Sequence, residues 1–117
     1  MAVTIEPLIA ALKAGVPFSE VRPSSNATYL EATLSREQLA RCSELLVQHF
    51  GAPTKKFGQL ALFGGKTARV VKRVGGIRMG QCLFLSRIDG QSAVYATLWP
   101  WSSDPARITL KVGVVVE

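Results

Sequence analysis

One tetrapeptide in the chain carries the residues of a phosphate-binding loop: Gly64-Gly65-Lys66-Thr67. Such a loop cradles phosphates with backbone amides and a lysine. Its full spacing puts another glycine five residues before the Gly-Lys pair. Here that position is Leu60. The motif also needs a helix after it, and the β-branched run following Thr67 reads as a strand. The tetrapeptide is therefore expected to be a glycine turn with an exposed lysine.

His49 is the only histidine, and Cys42 lies seven residues before it. On one helix the two point the same way, but two turns separate them by roughly 10 Å, too far for proton transfer. His49 is expected to meet the helix C-terminus instead. Cys42 and Cys82 are too few for a zinc site and read as small buried residues. The carboxylates fall mainly on helix surfaces, turns and the terminus; Glu31, in a strand, is the exception. No catalytic, cofactor-binding or metal-binding residue is assigned. No enzyme activity and no cofactor is expected.

The basic residues carry more information. The chain has a net charge of +6, with all eight acidic residues outside positions 45–88. Inside that window lie Lys55, Lys56, Lys66, Arg69, Lys72, Arg73, Arg78 and Arg87. The window holds +8, and the remainder −2. If these side chains converge, they form a surface for phosphate anions and nucleic acid. The alternative is a solvated face that keeps strands from aggregating. A second candidate surface is aromatic. Tyr95, Trp99 and Trp101 share a face if their segment is extended, and exposed rings beside basic residues can stack bases.

Elements must position these groups. Ile5, Leu8, Ile9 and Leu12 predict a helix over 5–14, capped by Thr4 and ended by Gly15 in a left-handed conformation. Residues 16–27 read as a loop and 28–34 as a strand. Ser35 and Gln38 form a capping box opening a helix over 36–50. The remainder reads as all strand: 59–63, 67–74, 80–88, 91–99 and 107–116, with an Asp89-Gly90 hairpin. The expected fold is α+β. Two helices pack on one face of a mostly antiparallel sheet of about five to six strands, in the order α-β-α-β-β-β-β-β.

Register decides where the aromatics go. A two-residue turn at Asp89-Gly90 pairs Phe84 with Tyr95 and Gly80 with Trp99. A four-residue loop at 102–105 pairs Trp101 with Ala106 and Trp99 with Ile108. That places the aromatics on the apolar face of the last strand, in the core. A slip of one residue reverses the assignment.

The 117 residues fit a single domain over 1–117. Hydrophobic residues make up 48% and charged residues 19%, a globular balance. No basic residue precedes Lys13, no apolar run approaches a membrane span, and the two cysteines make no disulfide framework. A cytoplasmic location away from membranes is expected. Both faces of the strands hold apolar residues, more than two helices can cover. The leading expectation is thus a small interaction or adaptor domain with a protein partner, or one that self-associates through its sheet as a dimer. The alternative is a nucleic-acid-binding module using the basic segment 55–87.

Overall fold

The computed structural model describes residues 3–59 and 63–116. The chain runs α1 (Ile5–Gly15), β1 (Glu20–Val21), β2 (Leu30–Ser35), a 3-10 turn (Arg36–Gln38), α2 (Leu39–Phe50), α3 (Gly65–Arg73), β3 (Cys82–Arg87), β4 (Ser92–Pro100) and β5 (Arg107–Val116). The five strands form one antiparallel sheet in the order β1-β2-β5-β4-β3. The class is α+β, as the sequence predicts, with one more helix than expected. No helix among the described residues is long and apolar enough to cross a membrane.

The periodic stripes of α1 and α2 bury Leu8, Ile9 and Leu12 with Cys42, Leu45 and Leu46. They pack on the first face of the sheet, against Leu30, Leu34, Leu98, Leu110 and Phe84. Neither Thr4 nor Ser35 makes the side-chain cap bond that its position suggests. Gly15 does not adopt the expected left-handed conformation. It allows close approach instead: a Cβ there would lie 2.8 Å from Leu45 Cδ1.

Four expectations are corrected. Residues 67–73 are helical and Val74 caps the helix; none of them is extended. Thr67, Val70, Val71 and Val74 recur at helical spacing, and packing on the second face of the sheet overrides the strand preference of valine. Gly75 and Gly76, at φ +102° and +85°, then turn the chain out of the helix. The strand expected over 59–63 falls partly on 60–62, which lie outside the described residues; Gln59 sits in a bend and Phe63 packs with Val71, Ile77 and Leu83. The loop expected over 16–27 contains the short edge strand β1.

The fourth correction inverts the sheet. Ile88 to Gln91 form a longer loop than expected, because Asp89 Oδ1 accepts from the amides of Gln91 (2.7 Å) and Ser92 (2.8 Å). These bonds also hold the Asp89 carboxyl below its ordinary range. Phe84 consequently pairs with Ala96 and Leu85 with Tyr95. The next turn behaves likewise: Asp104 Oδ1 accepts from Ala106 N (3.2 Å), and Trp99 pairs with Thr109 rather than Ile108. Each register is one residue from the expected one. Tyr95 and Trp99 accordingly leave the first-face core and stand on the second face with Leu83, Thr109 and Lys111.

Candidate functional site

The second face of the sheet is divided. Over β3 and β4 it is covered by α3, whose Val70 and Val71 pack on Ala93, Val115, Leu83 and the rings of Tyr95 and Trp99. Burying one stripe of a nine-residue helix turns the opposite side to solvent. Arg69, Lys72 and Arg73 stand there at i, i+3 and i+4, all exposed. None of them forms an ion pair among the described residues, whereas Arg22, Arg41 and Arg107 each meet a carboxylate. Lys66 belongs to the first turn of the same helix. The Gly-Gly-Lys-Thr tetrapeptide thus opens a helix after all, with Gly64 at its cap and Leu60 still in place of the missing glycine.

Lys56 and Arg78 sit exposed on two neighbouring loops, before α3 and after it. Those loops are tied together. Lys55 and Leu83 exchange backbone hydrogen bonds, and Gly58 N donates to Met79 O at 2.8 Å. Lys55 itself is only 1% exposed. Its ammonium donates to the carbonyls of Lys56 (2.9 Å), Met79 (2.8 Å) and Gln81 (2.6 Å). Three donors meet three acceptors, so the charge is satisfied inside the protein. Burial pulls the Lys55 pKa below the ordinary lysine value. This residue is therefore a structural clamp and is removed from the candidate anion-binding set. Arg87 is partly buried on the edge strand β3, apart from the outer side of α3. The structure thus brings Arg69, Lys72 and Arg73 onto one helix face and separates Lys55 and Arg87 from it.

Over β2 and the Arg107–Lys111 part of β5 the second face is polar, carrying Thr33, Ser35, Arg107, Thr109 and Lys111. Lys111 Nζ stands 4.5 Å from the centroid of the Trp99 ring, and the Arg107 guanidinium 5.5 Å from that of Trp101. Trp101 Nε1 donates to Thr109 Oγ1 at 2.8 Å, which fixes the indole. A cavity of about 300 Å³ opens here, lined by Ser19, Glu20, Thr33, Ser35, Trp101 and Arg107. The three candidate aromatics do not act alike. Tyr95 and Trp99 pack under α3, while Trp101 faces this cleft.

Tyr95 also meets Tyr29 above Gly113. A Cβ on Gly113 would lie 3.0 Å from Tyr95 Oη and 3.1 Å from Tyr29 Cδ1. Tyr29 Oη donates to Glu31 Oε1 at 2.8 Å, and burial together with that bond raises the Tyr29 pKa. Gly113→Val is expected to cost about 1–3 kcal/mol by overpacking, read as a lower urea midpoint at unchanged m-value.

Cys42 and Cys82 are both buried in the first-face core. Among the described residues no three His, Cys, Asp or Glu side chains group to hold a metal. Burial pushes the Cys42 thiol up to about 12 and the Cys82 thiol up to about 11. At pH 8 both are thiols rather than thiolates, the form that reacts. Neither is expected to react with Ellman's reagent in the folded protein, and both in guanidinium. Rapid reaction of either in the folded state would contradict this burial.

Sequence reasoning missed the clamp and the cleft. Nothing in the local pattern marks Lys55 as different from Lys56. The cleft depends on a register that two aspartate-capped turns set. The helical repeat of Thr67, Val70, Val71 and Val74 was a usable signal for α3. Comparison with protein-family models, curated proteins and solved structures finds no match.

Proposed function

We propose that this chain is a non-enzymatic nucleic-acid-binding domain whose α3 lies against the phosphate backbone. One observation carries the reading: Arg69, Lys72 and Arg73 share an exposed helix face with no carboxylate partner among the described residues. Cations left unpaired on a rigid element can displace condensed counterions, and that release drives sequence-independent binding. Lys56 and Arg78 extend the basic character into the adjoining loops. The acidic residues lie elsewhere in the chain, all outside 45–88.

The competing reading, an adaptor that pairs through its sheet, rested on an apolar face that two helices leave bare. Val70 and Val71 of α3 cover part of that face, so less apolar surface is left there for a partner. Of the large apolar side chains that stay exposed, Val114 and Val116 share the end of β5, while Val21, Val47, Phe57, Met79 and Ile88 stand elsewhere.

The test is a titration of labelled single- and double-stranded oligonucleotides, followed by anisotropy. Micromolar binding at about 50 mM salt that weakens steeply by about 200 mM supports the reading. Absence of binding at the lower salt contradicts it.

A further inference from the structure

We infer that the cleft between β1, β2 and the end of β4 is a nucleobase subsite, which gives the domain a preference for single-stranded nucleic acid. This rests on the reading of α3 as the phosphate-contacting element. The cleft measures about 300 Å³, the lower end of small-ligand sites (~300–1,000 Å³). That suits one unstacked base and excludes a duplex. Its wall is aromatic: Trp101, with the Arg107 guanidinium 5.5 Å from the ring centroid. Bases splayed from single strands stack on aromatic rings and on guanidinium planes. The Trp101 indole is already held by its bond to Thr109 Oγ1, so little side-chain freedom is lost when a base arrives.

The rest of the lining is polar in the way a base edge requires. Ser35 and Thr33 carry hydroxyls that both donate and accept, and the Glu20 carboxylate accepts. Ser19 Oγ donates to Thr33 O at 3.0 Å and holds the cleft wall together. Glu20 also pairs with Arg22 at 3.3 Å, and Arg107 with Asp104 at 3.4 Å, so the charges of the lining are balanced within the protein and a neutral base is favoured there over a phosphate. A row of side chains connects the cleft to α3. Trp101 bonds Thr109, Thr109 pairs with Trp99, and Lys111 stands over the Trp99 ring. The far edge of Trp99 reaches Gly75, where α3 ends, at 3.7 Å from a Cβ built there. A strand crossing this row would set its phosphates near Lys111.

The test compares the wild type with Trp101→Ala and Ser35→Leu. Ser35 makes no side-chain cap bond, so the leucine fills the cleft without removing a structural contact. Retained folding is checked by circular dichroism. Both variants are expected to bind a single-stranded oligonucleotide about 5- to 150-fold more weakly, the range of one stacked base. Duplex affinity and the salt dependence stay unchanged, since no phosphate contact is lost. Unchanged single-strand affinity in both variants overturns the subsite, even if α3 binds nucleic acid. If the wild type binds no oligonucleotide, the reading of α3 fails, and the cleft is tested alone by following the Trp101 indole resonance while adding uridine or adenosine monophosphate. A saturable shift supports the subsite. No shift, or saturation by a neutral trisaccharide instead, overturns it.

Discussion

Replacing Lys55 with methionine is expected to destabilise the fold by roughly 3 kcal/mol, although the residue lies in a loop. Methionine fills similar space, so the loss is not a cavity. It is the loss of three hydrogen bonds from the ammonium, to the carbonyls of Lys56, Met79 and Gln81. Met79 O keeps Gly58 N and Lys56 O keeps Gln59 N, so the cost falls mainly on Gln81 O and on the tie between the two loops. Hydrogen bonds from a charged donor are worth about 1.5–3 kcal/mol each, offset here by relief of the cost of burying the charge. The melting temperature should fall by about 10 °C. Lys56→Met, one residue along and exposed, should stay within about 0.5 kcal/mol. Equal stabilities for the two variants would show that the clamp does not hold the loops. Because those loops carry Lys56 and Arg78, the first variant should also weaken whatever binding those residues support.

Much of this architecture was legible in the residues, and the failures have identifiable causes. The helix over 36–50 and the last strand were strongly periodic, and both formed where expected, the helix after a 3-10 turn. The strands around Asp89-Gly90 were also present, but their pairing was not. A glycine turn predicts the tightest loop, whereas the Asp89 side chain accepts two amides and lengthens it. That one residue moves Tyr95 and Trp99 from one face of the sheet to the other. Residues 67–74 were misread because three valines favour a strand in isolation. Their helical spacing mattered more once a sheet face was available to pack against. Lys55 gave no warning, since burial of a lysine is decided by carbonyls from positions 56, 79 and 81. The basic segment was visible as a charge run. Its division into an exposed helix face, a clamp and an edge-strand arginine was not.

The substitution with the largest expected effect on binding is Arg69→Ala/Lys72→Ala/Arg73→Ala. All three side chains are exposed, and alanine favours helices, so α3 should persist on its apolar stripe. Removing three phosphate contacts is expected to weaken nucleic-acid binding roughly 100- to 1,000-fold at about 50 mM salt. Single- and double-stranded oligonucleotides should lose affinity alike, because phosphate contacts carry no base information. This separates the helix from the cleft, where Trp101→Ala acts on single strands alone.

The most direct measurement is the slope of log Kobs against log salt for the wild type and this triple variant. Each phosphate contact contributes about 0.9 to the slope on duplex DNA, so the account predicts a difference of close to three units. Equal slopes and equal affinities would contradict it, and would leave Arg69, Lys72 and Arg73 as a solvated helix face.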